Sequence, residues 1–209
     1  MDVSYILDDL NDAQREAVTS ESKKLLVLAG AGSGKTKVLV HRIAWLIKAL
    51  SNSTHSILSV TFTNKAANEM TGRIESILDQ PIPEMWCGTF HSISNRLLRR
   101  HYKEAGLEKD FNILDSDDQL RIIKRNLKDL DIDEDQWPPE KVRWQINNWK
   151  DEALRPKDVD DKGDFNLETL KRIYTYYESY MQKENLIDFA ELILRSYELV
   201  RDCLLYTSD

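Results

Sequence analysis

Ala29-Gly30-Ala31-Gly32-Ser33-Gly34-Lys35-Thr36 is the stretch on which the reading of the fold turns. It follows the apolar run Leu25-Leu26-Val27-Leu28-Ala29. It precedes Val38, Leu39, Ile43, Leu46, Ile47 and Leu50, which recur at helical spacing over residues 35–50. A buried parallel strand reads as a short apolar run ending in glycine, and an amphipathic helix as a 3.6-residue period. Strand, glycine-rich turn and helix in that order are the setting a Walker A loop requires. Glycines let the backbone wrap a triphosphate, and the loop amides and helix N-terminus then face its anionic oxygens. In this reading Ala29, Gly30, Ala31, Gly32, Ser33 and Gly34 supply the cradle. Lys35 reaches the β- and γ-phosphates of ATP, and the Thr36 hydroxyl ligates Mg²⁺. Ala29 stands where the usual pattern has its first glycine, a position that closes the strand and tolerates a methyl group.

Outward from the loop, Ile57 to Phe62 reads as a second strand and Trp86 to Thr89 as a third. Between them, residues 64–79 place Ala67, Met70, Ile74 and Ile77 on one helical face. Strands alternating with helices predict βαβ units and a parallel sheet flanked by helices, an α/β fold. After His91 the pattern changes. Residues 91–105, 117–129, 139–152 and 167–185 all read as helices, with start signals at Ser116-Asp117-Asp118 and Pro138-Pro139-Glu140, and no further strand is visible. The expected organisation is an α/β nucleotide-binding segment over 1–90 and an all-α insertion over 91–185. A return to the α/β part over 186–200 follows, with a last helix from Asp188 to Leu199.

The 209 residues are 41% hydrophobic, enough to bury a core. The 29 basic and 36 acidic side chains give a net charge of −7, which excludes a wholly basic nucleic-acid binder but not a local basic surface. Residues 1–105 carry 13 basic and 11 acidic side chains, and the remainder 16 and 25, so the two halves differ in electrostatic character. Cys87 and Cys203 make neither a disulfide framework nor a metal knuckle. The uncharged stretch around the first strand, Leu25 to Gly34, is ten residues long, and no segment is long enough to span a membrane. The N-terminus, MDVSYILDDL, lacks the basic flank of a signal peptide. A soluble intracellular protein is expected.

Several residues near the strand ends admit two readings. Gln14, in Asn11-Asp12-Ala13-Gln14, can pair with N6 and N7 of adenine or can be the return partner of an Asn11 cap. Phe62, at the C-terminal end of a strand, is either a platform for a nucleic-acid base or a core residue capping the sheet. Thr63 and Asn64 beside it, and Thr89 and His91 after the third strand, can contact phosphates or be structural. Phe189 stacks on a base or packs in the core. Arg96, Arg99, Arg100 and Lys103 fall on one helical face, as a phosphate-tracking stripe or a solvated one. Trp144, Trp149, Tyr174, Tyr177 and Tyr180 read as the core of the helical insertion.

Residues 11–18 (NDAQREAV), the AGAGSGKT loop, Thr61-Phe62-Thr63-Asn64-Lys65-Ala66-Ala67 and Gly88-Thr89-Phe90-His91-Ser92 occur in this order. With Phe111-Asn112-Ile113-Leu114-Asp115, Gln136-Trp137-Pro138-Pro139 and Leu186-Ile187-Asp188-Phe189-Ala190-Glu191-Leu192, they resemble superfamily 1 helicases of the UvrD/Rep type over residues from about 8 to about 200. The resemblance implies a RecA-like ATPase core using ATP and Mg²⁺ and moving 3′ to 5′ on single-stranded DNA. The helical insertion would lie near the duplex, and the partners would be single-stranded DNA and its junctions with duplex. A bacterial, cytoplasmic, DNA-associated protein is implied, with adenine against Gln14 and DNA against Phe62, Thr63, Asn64, Thr89, His91 and Phe189. The position after the loop threonine, commonly an arginine beside the adenine in that family, is Lys37. A lysine supplies charge there but no planar guanidinium.

The family carries its hydrolytic carboxylates in an Asp-Glu-x-Gln-Asp segment, and no such segment occurs here. Residues 201–209 do not continue the family pattern and read as a non-native tail. The expectation is therefore the N-terminal fragment of a helicase, inactive by itself. The competing readings are an unrelated P-loop enzyme, such as a small-molecule kinase, and a non-catalytic nucleotide- and DNA-binding module.

Overall fold

The computed structural model describes residues 3–202, which divide into two compact units on either side of the Ile93–Ser94 bond. The first unit contains α1 (Asp12–Thr19), α2 (Lys35–Lys48), β1 (Leu58–Val60), α3 (Asn64–Leu78), β2 (Trp86–Gly88) and the start of α4 (Phe90–Arg100). β1 and β2 pair in parallel, with Leu58 opposite Trp86 and Val60 opposite Gly88. α2 and α3 close over the pair, burying Val40, Ile43, Ala44, Met70, Ile74 and Leu78 together with Ile6 and Met85. These side chains recur at three- and four-residue steps, which is why the two helices each present one apolar face.

One expected strand is missing. Residues 25–29 pair with no strand among the described residues, and Leu26 and Leu28 are 81% and 85% exposed. A strand exists only through its ladder, and β1 and β2 are bonded to each other in a two-stranded sheet. Residues 25–29 keep the composition of a buried strand without the neighbour that would make them one.

The second unit holds the rest of α4, β3 (Asn112–Ile113), α5 (Ser116–Asp129), α6 (Pro139–Asp151), α7 (Phe165–Lys183), β4 (Leu186–Ile187) and α8 (Phe189–Asp202). The helices form where their caps and periodicity indicate. Asp115 accepts the amides of Asp117 and Asp118 to start α5, and Asp164 those of Asn166 and Leu167 to start α7. Ile123, Leu127, Val142, Ile146, Ile173 and Met181 make the core, with Trp149 stacked on Tyr174 at 5.7 Å between ring centroids. Tyr177 is buried as expected and Tyr180 half-buried, but Trp144 lies 66% exposed, on the side of α6 away from Val142, Ile146 and Trp149.

Three boundaries differ from the sequence reading. The division falls at Ile93 and Ser94, inside α4, not between residues 90 and 91. The helical part contains a parallel two-residue pair, β3 with β4, too short for an alternating pattern to reveal. Residues 186–200, expected to rejoin the nucleotide-binding segment, belong to the second unit. There Ile187, Leu192 and Leu199 pack with Leu98 and Phe111, and Asp188 and Glu191 bind the buried ammonium of Lys150 on α6 at 2.9 and 2.8 Å. Of the expected tail, Arg201 and Asp202 continue α8, while 203–209, with Cys203, lie outside the described residues.

The ion network is extended by Arg155, whose guanidinium binds Glu178 (2.6 Å), Glu191 (3.0 Å) and Glu198 (2.5 Å), and by Arg195 on Glu191 (2.6 Å). Burial alone would raise the Glu191 pKa, but Lys150, Arg155 and Arg195 outweigh it and hold the carboxyl far below its ordinary value of 4.5. Burial likewise opposes the charge of Lys150, yet Asp188 and Glu191 keep its pKa well above the usual amine value. Glu178 is displaced upward by burial and by the Glu191 charge.

A depressed carboxyl contributes stability that is complete above its unfolded pKa and lost as pH falls through its folded one. Glu178 acts oppositely, losing stability as pH rises from 4.5 through its folded value. Glu191 should dominate, because three cations face it. Thermal unfolding followed by circular dichroism from about pH 3 to about pH 7 should show stability falling on the acid side of 4.5. Glu191→Gln should be less stable at neutral pH and show a shallower acid limb.

Candidate nucleotide and nucleic-acid sites

The loop before α2 turns through two left-handed glycines, Gly32 at φ 75° and Gly34 at φ 85°, a region that L side chains enter only at a cost. Gly34 is the N-cap of α2 and offers no side chain to the first-turn amides; no acidic residue lies in that turn. These amides and the helix dipole leave partial positive charge at the loop. Lys35, the first residue of α2, adds a full one: its ammonium folds back onto the carbonyls of Ala29 (2.9 Å) and Gly30 (2.7 Å). The Ser33 hydroxyl donates to the same Gly30 carbonyl at 2.7 Å. Thr36 is exposed on the first turn. Amide dipoles, an ammonium and a hydroxyl are the donor set that a polyphosphate with a hard cation requires.

Gln14 takes up the capping role and also touches the loop. It completes a capping box with Asn11: its backbone amide donates to Asn11 Oδ1 at 2.9 Å, and its Oε1 accepts from the Asn11 amide at 3.2 Å. Its Nε2 then donates to the carbonyl of Ser33 in the loop at 3.1 Å. The cap thereby fixes the side chain that touches the loop. Lys37 reaches back to the Asp9 carbonyl at 2.6 Å.

The second set of predicted residues lies at the C-terminal ends of β1 and β2. Parallel pairing brings both strands out on one edge, and the ladder continues past them with the Thr61 amide donating to the Gly88 carbonyl at 3.0 Å. Phe62 is fully exposed there, which removes the core reading. Thr63 caps α3 by accepting the Ala66 amide at 3.1 Å, and Asn64 opens that helix, exposed. Thr89 exchanges bonds with Ser92: its backbone amide donates to Ser92 Oγ (2.9 Å) and its Oγ1 accepts from the Ser92 amide (3.2 Å). A methyl group on Gly88 would meet Ser92 Oγ at 2.4 Å and so displace the hydroxyl that the Thr89 amide binds. His91 is exposed, and so is Phe90 beside it, an aromatic that sequence reasoning passed over although it sits within the same motif. The four basic residues Arg96, Arg99, Arg100 and Lys103 do not share one helix. α4 ends at Arg100, before Lys103, and Arg99 lies 3.6 Å over the Phe111 ring while donating to the Lys109 carbonyl.

Phe189, on the second unit, is 48% exposed at the start of α8. Its acidic neighbours Asp188 and Glu191 are committed to Lys150, Arg155 and Arg195, and no group of three or more metal-ligating side chains occurs among the described residues. Residues 10–208 match the UvrD/REP helicase N-terminal domain. The chain belongs to this family.

Among its relatives, the family members named DNA helicase II from Salmonella typhimurium and Escherichia coli are each 53% identical over 199 residues, 95% of this chain. The ATP-dependent DNA helicase PcrA of Bacillus subtilis is 39% identical over 197 residues. The chain spans 28% of the length of the DNA helicase II proteins and 27% of that PcrA. The family match reaches residue 208, across most of the stretch expected to be a foreign tail. No helix among the described residues is long and apolar enough to cross a membrane.

Gly34 tests the loop geometry. A methyl group there would stand 2.9 Å from Gln14 Nε2 on a backbone at φ 85°. Gly34→Ala should cost about 1–2 kcal/mol from the left-handed strain alone. It should also displace Gln14, weakening nucleotide binding in calorimetric titration beyond what the stability loss explains.

Proposed function

We propose that the chain is the N-terminal part of an ATP-dependent DNA helicase with a RecA-like nucleotide-binding core, acting in bacterial DNA repair. In the whole protein, ATP hydrolysis would drive 3′-to-5′ movement on single-stranded DNA and unwinding at junctions with duplex. The observation that carries this reading is the uncapped N-terminus of α2 with Lys35 folded over the loop, set in a chain whose family is that of UvrD/REP helicases. Residues 29–36 would hold the triphosphate, Lys35 countering the β- and γ-oxygens, and Gln14 and Lys37 would lie at the base. Mg²⁺ would be held by the Thr36 hydroxyl and the phosphates themselves, supplying charge neutralisation during phosphoryl transfer.

Phe62 would stack on a base while Thr63, Asn64, Thr89 and His91 meet the backbone, and Phe189 would stack on a further base. An exposed aromatic between polar strand-end residues is the combination that single-strand binding uses. This chain by itself should bind nucleotide without unwinding DNA. Asp188 and Glu191 are no substitute for the family's hydrolytic carboxylates, because buried cations engage them. A small-molecule kinase is disfavoured by the family match over residues 10–208.

Lys35→Ala removes a charged donor to phosphate, an interaction worth about 1.5–3 kcal/mol. Titration of the chain with ATP and Mg²⁺ should show that loss, with single-strand DNA affinity unchanged; normal nucleotide affinity in the variant would refute the loop assignment. Phe62→Ala should weaken binding to single-stranded DNA by about 1–3 kcal/mol. Because the ring is fully exposed, the variant's unfolding free energy should stay within about 0.5 kcal/mol of the parent's.

A further inference from the structure

The first turn of α8 is gripped from three helices. Asp188 caps it, accepting the Glu191 backbone amide on Oδ1 at 2.7 Å. Its other oxygen accepts three donors: Lys150 Nζ of α6 at 2.9 Å, the Tyr177 hydroxyl of α7 at 2.8 Å and the Gln119 amide of α5 at 3.2 Å. Lys150 also binds Glu191 at 2.8 Å, so a single ammonium, 2% exposed, holds the carboxylates on either side of Phe189. Phe189 thus stands between two immobilised, buried residues with its own ring about half open to solvent.

We propose that Lys150 is a positioning residue for DNA: by clamping Asp188 and Glu191 it fixes the first turn of α8 and hence the direction in which Phe189 offers its ring to a base. This rests on the base-stacking assignment of Phe189. Lys150 touches neither nucleotide nor DNA in this account and acts only through α8. Burying an ammonium among carboxylates is a poor way to gain stability, since well-packed apolar side chains of similar volume often do as well or better. It is a good way to fix a geometry, because the ammonium must stay within reach of both partners. A ring held in its binding orientation loses less freedom when a base stacks on it.

The test uses the full 209-residue chain and a single-stranded oligonucleotide containing 2-aminopurine, whose fluorescence is quenched by stacking. Lys150→Met alone leaves two carboxylates short of their cation and risks unfolding, so it is paired with Lys150→Met/Asp188→Asn. The double variant removes both charges, while the asparagine keeps the helix cap. Circular dichroism and ATP binding at the first unit serve as controls for folding.

Phe189→Ala should lose the quench and weaken binding roughly 5- to 150-fold, the range of one lost base stack. Lys150→Met/Asp188→Asn should lose part of the quench and of the affinity with ATP binding intact. Added to Phe189→Ala, it should cause no further loss, because its effect passes through that ring. A purely structural role would give the same proportional loss with or without Phe189. That additive result, or normal quench and affinity in a folded double variant, would overturn the proposal while leaving the Phe189 contact standing. Absence of quench in the parent chain, or no effect of Phe189→Ala, would overturn the contact and the proposal together.

Discussion

A polar group taken out of water is costly unless it is matched within the protein, and the two units show that constraint in different ways. In the second unit the group is the Lys150 ammonium. Asp188 and Glu191 satisfy it, Tyr177 and Gln119 complete Asp188, and Arg155 and Arg195 complete Glu191. The first turn of α8 is thereby joined to α5, α6 and α7. Removing one partner of such a cluster costs far more than the cluster itself contributes, because the survivor stays buried and uncompensated.

In the first unit the groups are backbone amides. The facing amides of β1 and β2 are matched across the pair, and the Ala66 amide in the first turn of α3 by Thr63. At α2 the cap is Gly34, which has no side chain to offer, and the nearest cation folds onto loop carbonyls instead of an acid. A helix start without a side-chain cap, next to an ammonium, is a place suited to an anion. The same accounting separates the two groups of exposed aromatics. Phe62 and Phe90 follow strand ends that parallel pairing brings to one edge, whereas Phe189 follows a cap held by a buried charge cluster. Their exposure has different physical origins, and substitutions at their supports should fail differently.

Much was legible in the sequence alone. The glycine-rich turn before α2, the helices α2, α3 and α5 to α8, the strand positions near 58–60 and 86–88, and the family follow from periodicity, caps and ordered motifs. These are signals carried by residues within a few positions of one another. What only the tertiary structure decided depends on partners far apart in the chain. Residues 25–29 have a strand's composition, but a ladder needs a neighbour. β3 and β4 are two residues each and exist only because they meet. Gln14 is both a cap and a loop contact, since a side-chain amide has two ends. Lys150 finds Asp188 across 38 positions and Gln119 finds it across 69. No periodicity connects such residues, and a lysine in a helix reads as solvated until the carboxylates that surround it are seen.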